Sequence, residues 1–117
     1  MSKPNIDRRL LGTWKSDRRR TFKDHVFKPG VSAQAMHKLK ALFGKLTIWW
    51  GHRRFRTEMD GVKSSGEYEV IARDASSVVV RYVDTLLGER IQQIHFEGKH
   101  YWIHVHGNLR EFFRRVE

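Results

Sequence analysis

The chain has 117 residues, no cysteine and a net charge of +10, which suits one domain with one core and excludes disulfides and thiolate chemistry. Residues 1–7 contain no apolar run typical of a signal peptide, and no segment reaches the length of a membrane-spanning helix, so we expect a cytoplasmic protein. The charge is concentrated in residues 1–45, with 12 Lys and Arg against three Asp, and would attract nucleic acid, an acidic membrane surface or a charged small molecule.

One strand and two short helices are predicted in the first part of the chain. The strand covers Leu10 to Ser16, and Ser16 or Asp17 can cap a short helix that ends before Pro29-Gly30. Ser32 can cap a second helix, which is predicted over Ala33 to Phe43 because its apolar residues share one face.

From residue 45 onward the apolar residues alternate with period two, which indicates half-buried β-strands. Seven such strands are predicted: Lys45–Trp50, Arg53–Met59, Glu67–Ala72, Ser77–Asp84, Arg90–Phe96, His100–His106 and Leu109–Val116. Residues 60–66 are predicted to form a flexible hairpin loop. Together with the first strand this makes eight, a number that closes a small barrel. The predicted fold class is therefore mainly β: a small eight-stranded up-and-down antiparallel barrel with two short helices between strands 1 and 2.

Gly12-Thr13-Trp14 lies in the first predicted strand, and the last strand carries several arginines. A Gly-x-Trp near the N-terminus together with a late arginine resembles the lipocalin-like barrels of the calycin superfamily, and small bacterial lipocalin-like domains in particular. The resemblance implies that Trp14 closes the base of the barrel. It also implies that Arg110 or Arg114 packs on Trp14 or meets a ligand anion.

The helical pair between the first two strands also resembles the intracellular fatty-acid-binding branch of the same superfamily. The resemblance implies that the helices form a lid over the barrel mouth, here over residues 17–43. The predicted organisation is a single lipocalin-like domain over residues 1–117, with an N-terminal tail over 1–9. An Arg-x-Tyr on the last strand of that branch holds the ligand carboxylate. Here the corresponding residues are Arg110-Glu111-Phe112, so the arginine is matched and the phenol hydroxyl is missing.

The register of the hairpin around Gly98-Lys99 decides which side chains line a pocket. If these two residues form the turn, His95 faces Trp102. One face of the hairpin then carries Ile91, Gln93, His95, Trp102, His104 and His106, and the other carries Ile94, Phe96, Tyr101, Ile103 and Val105. The second is the more obvious core face, but the first has the mixed aromatic and polar chemistry of a ligand site, and we expect the first to line the pocket. The predicted ligand-binding residues are Trp14, Tyr82, Trp102, His104, Arg110 and Arg114.

Metal binding and catalysis have weaker sequence signals. His104 and His106, with His95 on the neighbouring strand, have a spacing that could chelate Zn²⁺. No Cys, Asp or Glu lies on that face to complete the site, so no metal ligand is predicted. The chain has no nucleophile elbow, Gly-rich phosphate loop or paired carboxylates. No catalytic residue and no cofactor are therefore predicted, and binding is favoured over enzymatic activity.

Nucleic-acid binding is the alternative function. Trp49-Trp50 is followed by Arg53, Arg54 and Arg56, which interleaves stacking groups with phosphate-binding charges. A core face that contains Trp50, with the arginines on the solvent face, explains the same pattern. The sequence thus predicts non-enzymatic binding of a small, partly apolar and anionic ligand in the barrel. A nucleic-acid-binding protein that uses its basic surface and exposed aromatics is the second hypothesis.

Overall fold

The period-two segments form a closed barrel of eight antiparallel strands in the computed structural model, which describes residues 6–84 and 88–116. The strands are β1 (Gly12–Ser16), β2 (Thr47–Trp50), β3 (Arg54–Met59), β4 (Val62–Arg73), β5 (Ser77–Asp84), β6 (Gly88–Glu97), β7 (His100–His106) and β8 (Leu109–Val116). Two helices, α1 (Arg18–Lys23) and α2 (Ala33–Ala41), lie between β1 and β2. Strands adjacent in the chain pair in order, and β8 pairs with β1. The predicted fold class is confirmed.

The start of β4 differs most from its prediction. Asp60 and Gly61 alone make the β3–β4 turn, with φ angles of 51° and 80°. Two consecutive positive φ angles are typical of a two-residue hairpin turn, which lets the flanking strands pair without a longer loop. Residues 62–66, predicted to be a loop, therefore belong to β4, and Gly66 pairs with Phe55. The prediction of a flexible loop over 60–66 is wrong.

The two ends of the barrel are built differently. The β2–β3, β4–β5 and β6–β7 turns share one end with the start of β1, since turns alternate between ends in an up-and-down barrel. Residues 6–11 pack at this end, which we call the closed end, and Leu10 is fully buried there. The Arg9 side chain pairs with Asp7 and donates hydrogen bonds to the carbonyls of Ala75 and Ser77, at 2.9 and 3.3 Å.

This packing corrects the predicted N-terminal tail. Residues 6–9 are part of the closed end, because Asp7 is only 3% exposed and Arg9 ties the segment to the β4–β5 turn. Residues 1–5 of the predicted tail lie outside the described residues. In the described part of the chain, no helix is long and apolar enough to cross a membrane.

Trp14 is buried at the closed end, as predicted. Its indole N–H donates to the carbonyl of Leu10 at 2.8 Å. The guanidinium carbon of Arg115 lies 4.4 Å from the centroid of the indole ring. Arg115 also pairs with Trp14 in the β1–β8 register. The late arginine on the tryptophan is therefore Arg115, and not Arg110 or Arg114, because side chains at those two positions point to the other face of β8.

The helical segment, residues 17–43, forms a small aromatic cluster beside β8. Thr21 of α1 accepts a hydrogen bond from the backbone N–H of Phe112 at 2.9 Å, which attaches α1 to the outer side of β8. Phe22 packs against Phe27 and Phe43, with ring centroids 6.1 and 5.4 Å apart. No residue of α2 is buried. The helical segment therefore packs largely on itself and on β8.

Candidate ligand-binding cavity

A cavity of about 270 Å³ lies inside the barrel. Its side-chain lining is mainly aromatic and aliphatic, with a few uncharged polar groups: Leu46, Ile48, Trp50, Phe55, Thr57, Ser64, Tyr82, Gln92, Ile94, Tyr101, Ile103 and Phe113. Trp14 and Val78, nearer the closed end, are buried and do not line it. The barrel is therefore filled by side chains toward the closed end and hollow beyond them.

Interlocking aromatic side chains hold the wall of the cavity. The Trp50 indole N–H donates to the Tyr101 hydroxyl at 3.1 Å. The Trp50 ring also contacts the ring of Tyr68, with centroids 4.9 Å apart, and the Tyr68 hydroxyl donates to the carbonyl of Gly51. Burial raises the pKa of Tyr68 to about 12 and also raises the pKa of Tyr101. Both phenols are therefore neutral hydrogen-bonding groups at physiological pH.

Tyr82 is the predicted ligand-binding residue that lines the cavity. It is half-buried, and its ring packs edge-on against Phe55 with the centroids 5.5 Å apart. Phe55 in turn lies over Gly66, where an added Cβ would come within 3.1 Å of the phenyl ring. Because Gly66 has no side chain, the Phe55 ring has room to lie over it in the wall of the cavity.

The polar face of the β6–β7 hairpin lies outside the barrel. The predicted pairing of His95 with Trp102 is confirmed. Tyr101 and Ile103 nevertheless line the cavity, so Trp102 and His104 point outward. The expectation that Trp102 and His104 line the pocket is therefore wrong. The physical reason is desolvation. The one side-chain polar group on the inward face of β7, the Tyr101 hydroxyl, has a partner in the Trp50 indole, whereas buried imidazole and amide groups on the other face would each need a hydrogen-bond partner.

Trp102 and its neighbours form a stack on the outer surface. The His95 ring lies parallel to Trp102 with centroids 3.9 Å apart, and the guanidinium carbon of Arg110 lies 4.8 Å from the Trp102 centroid. The His95 and His104 centroids are 6.1 Å apart. Burial lowers the pKa of His95, and the nearby His104 lowers it further. Within residues 6–84 and 88–116, no group of three His, Asp or Glu side chains is placed to hold a metal ion.

Arg110 and Arg114 also lie outside the cavity. Glu111 pairs with Ile103, and Phe113 pairs with Tyr101, so the odd-numbered positions of this strand face inward. No Arg, Lys or His is among the described residues that line the cavity. The arginine–carboxylate contact implied by the fatty-acid-binding resemblance therefore has no cation there to make it.

Glu111 is an inward-facing acidic residue of β8 that the sequence analysis did not identify. Its carboxylate accepts a hydrogen bond from the Ser16 hydroxyl at 2.7 Å, and the Ser16 oxygen accepts another from the Gly44 N–H at 3.0 Å. Burial raises the pKa of Glu111, against a smaller lowering by the Ser16 hydrogen bond. The alternation that places Trp14 and Arg115 on one face also places Glu111 on it, and this signal could have identified the residue.

The helical segment does not touch the cavity. No residue of 17–43 lines it, whereas α1 contacts the outer side of β8. The lid implied by the fatty-acid-binding resemblance is therefore not formed over this cavity. Polar side chains of the barrel strands line the cavity: Thr57 and Ser64, which lie directly opposite each other on β3 and β4, and Gln92 on β6.

Comparisons with protein-family models, with curated proteins and with solved structures found no match to this chain. The lining residues, their charges and their distances therefore carry the functional interpretation.

Proposed function

We propose that this protein is a lipocalin-like barrel that binds one small, neutral and largely apolar molecule and does not transform it. The observation that carries the proposal is the aromatic cavity of about 270 Å³ with Thr57, Ser64 and Gln92 as polar groups in its wall. Binding pockets for small molecules combine apolar walls with a few polar groups that orient the ligand. The Gly12-Thr13-Trp14 segment, with Arg115 over the indole ring, supports the lipocalin-like assignment.

The volume of the cavity favours a compact ligand. At roughly 30 Å³ for each water-sized group, it has room for about nine non-hydrogen atoms. A substituted single ring or a short branched alcohol fits this space, whereas a long-chain fatty acid does not. The aromatic rings of Trp50, Phe55 and Tyr82 would contact the faces and edges of such a ring.

The charge of the lining favours a neutral ligand over the anionic one expected from the sequence. An anion that enters an apolar cavity loses its hydration and needs a cation or several hydrogen-bond donors in return. The described lining has no cation, and the one inward carboxylate on β8, that of Glu111, would repel an anion. Neutral polar groups of a ligand can pair with the Gln92 amide and the Thr57 and Ser64 hydroxyls.

The same lining supports binding rather than catalysis. A hydroxyl nucleophile needs an adjacent general base, usually His, a carboxylate or Lys. The described residues that line the cavity include Ser64, Thr57 and two tyrosines but none of those bases. Ser64 and Thr57 are thus better suited to orient a ligand than to attack one.

Calorimetric titration tests the proposal with 2-naphthol, a neutral two-ring probe slightly larger than the ideal ligand, and with 2-naphthamide and 2-naphthoate, which match each other in size and differ in charge. We expect 2-naphthol to bind, and 2-naphthoate to bind at least tenfold more weakly than 2-naphthamide. Ile103→Trp fills the cavity and is expected to abolish 2-naphthol binding. Ile91→Trp, on the exposed outer face of β6, is the matched control and should leave binding unchanged. Equal binding of 2-naphthol by Ile103→Trp and wild type would overturn the proposal.

A further inference from the structure

A row of basic side chains crosses three strands on the outer surface of the barrel. Lys15 of β1 lies directly opposite Arg114 of β8, and Arg114 lies directly opposite His100 of β7. Side chains directly opposite on neighbouring strands are only about 5 Å apart at Cβ, and like charges there destabilise the sheet. The Lys15–Arg114 pair therefore carries a repulsion that a bound anion would relieve.

Two shallow depressions meet at this row. One, of about 670 Å³, is lined in part by Lys99, His100 and Arg114, and the other, of about 580 Å³, by Arg19, Lys23 and His100. They share His100 and Asp17, so they form one continuous surface feature. We call it the basic groove and define it by Arg19, Lys23, Lys99, His100 and Arg114.

Most cations of the basic groove have no acidic partner within the described residues. Asp17 lies in the groove, but its carboxylate already accepts a hydrogen bond from the Arg20 backbone N–H and meets His100 at 3.0 Å. None of the described carboxylates forms an ion pair with Arg19, Lys23, Lys99 or Arg114. These four side chains are therefore available to an external anion.

The neighbouring arginines have structural partners instead. Arg18 donates to the carbonyl of Phe43 at 2.9 Å, and Arg20 pairs with Glu97 at 2.7 Å and lies over the Phe112 ring. Within the triplet of residues 18–20, Arg19 alone is thus exposed to the groove without such a role. The groove cations come from α1, from the β6–β7 turn, from β7 and from β8, so they are spread over the two adjoining depressions.

We propose that the basic groove binds the phosphodiester backbone of a nucleic acid. A ligand that satisfies cations spread over two connected depressions must carry several anionic groups along an extended chain, which a phosphodiester backbone does. Guanidinium groups such as those of Arg19 and Arg114 also match phosphate oxygens in a bidentate geometry. Two aromatic residues, Trp14 and Phe96, also line the first depression, but the guanidinium groups of Arg115 and Arg9 lie over their rings. The groove therefore offers phosphate-binding charges rather than free stacking surfaces, and such contacts carry no base-sequence information.

An acidic membrane surface fits the groove less well. Peripheral membrane binding normally combines basic residues with exposed apolar side chains that enter the lipid. The most exposed large apolar residues of the described chain, Val26, Leu42 and Val62, lie in the helical segment and at the β3–β4 turn, outside the groove. The groove is also concave, a shape that fits a nucleic-acid strand better than it fits a flat membrane surface.

Fluorescence anisotropy with a labelled 20-nucleotide single strand and with a duplex of the same sequence tests the inference. The groove variant carries Arg19→Gln, Lys23→Gln, Lys99→Gln and Arg114→Gln. The control variant removes the same charge elsewhere, with Lys28→Gln, Lys38→Gln, Lys63→Gln and Arg90→Gln, all at exposed positions. We expect the groove variant to bind at least tenfold more weakly. On single strands its salt slope should fall by about 0.7 for each phosphate that it no longer neutralises. The control is expected to bind less than threefold more weakly.

Three outcomes would overturn the inference. Equal weakening in the groove and control variants would show that only net charge matters. Binding of poly-L-glutamate as tight as that of DNA would show that phosphate is not recognised. Binding to vesicles that contain phosphatidylserine, abolished in the groove variant, with no DNA binding by wild type, would assign the groove to a membrane. Circular dichroism of each variant establishes that the barrel is intact, and Ile103→Trp should bind DNA as wild type does.

Discussion

Trp14 and Arg115 lie opposite each other in the β1–β8 register, with the guanidinium carbon 4.4 Å from the indole centroid. The same guanidinium donates to the backbone carbonyls of Leu11 and Arg9, at 2.5 and 2.8 Å. One side chain thus joins the N-terminal segment, the buried indole and the last strand. Gly12 makes room for it, because a Cβ there would lie 2.7 Å from the Arg115 Nη1 atom.

Arg115→Met is therefore expected to reduce the free energy of unfolding by about 1–2 kcal/mol, since it removes a cation–π contact and two charge-assisted hydrogen bonds. Arg114→Met removes the neighbouring arginine on the other face of β8 and should change the free energy of unfolding by less than about 0.5 kcal/mol. Urea unfolding of both variants measures the difference. Equal effects would show that the contacts of Arg115 do not stabilise the closed end.

Trp14→Ala should be more damaging, with a decrease of about 3–5 kcal/mol in the free energy of unfolding, because it leaves a large void in a buried site. The exposed Trp49 on the outer face of β2 is the matched control. Trp49→Ala is expected to decrease the free energy of unfolding by less than about 1 kcal/mol, since most surface substitutions have small effects. If urea unfolding gave Trp14→Ala a decrease below about 1 kcal/mol, the role of this indole in closing the barrel would be disproved.

Glu111 should give the barrel a distinctive dependence on pH. Burial raises the pKa of its carboxyl in the folded state, so the folded chain binds this proton more tightly than the unfolded chain does. The stability that this group contributes is then present below the unfolded pKa and disappears as pH rises through the folded pKa. Glu111→Gln is therefore expected to be more stable than wild type at pH 7, and the difference should shrink as the solution is acidified.

Thermal unfolding between pH 3 and pH 8 measures this difference. Glu58→Gln, at an exposed position of β3, is the control and should show no comparable dependence on pH. A Glu111→Gln variant that is less stable than wild type at pH 7 would mean that the hydrogen bond from Ser16 outweighs the cost of burying the charge.

Gly66→Ala tests how the wall of the cavity is built. The new methyl group would meet the Phe55 ring at 3.1 Å, and the ring can yield by moving into the adjacent cavity. We expect a folded protein with reduced affinity for 2-naphthol, because Phe55 takes up part of the binding space. Calorimetric titration compares this variant with Glu67→Ala, an exposed neighbour in β4. Unchanged affinity in Gly66→Ala would place the binding site away from Phe55.

The alternation of side chains was enough to predict the strands from Ser77 onward, because each of them has one apolar face and is bounded by Gly, Asn or Asp. The alternation alone could not decide which face of the β6–β7 hairpin points inward. The face with Tyr101 and Ile103 is buried because it has few polar groups that need hydrogen-bond partners. The cost of burying polar groups is therefore a better guide to the inward face than the likeness of the other face to a ligand site. For β8, the pairing of the buried Trp14 with Arg115 shows which face of the strand points inward, and Glu111 lies on that same face.

Other features depend on contacts that no local pattern reports. Arg9 holds the closed end through the backbone carbonyls of Ala75 and Ser77, which carry no side-chain signature. The position of α1 depends similarly on the Phe112 backbone N–H, which donates to Thr21. The sequence anticipates the basic groove only as an excess of charge in residues 1–45. Its location required the pairing of β1 with β8, which adds Arg114 and Lys99 from the far end of the chain.

The pairing of β1 with β8 also has a consequence for synthesis. Residues 12–16 cannot complete their hydrogen bonds until residues 113–116 are available, because those are the partners that close the barrel. During translation, β1 therefore has no partner on its β8 side, and Trp14 is not fully buried, until almost the whole chain has been made. Until then, the open edge of β1 can pair with strands of other chains. Closure through contacts of such high sequence separation makes folding comparatively slow. A chain that stops before β8 would keep two open edges and is expected to aggregate rather than to form a smaller barrel.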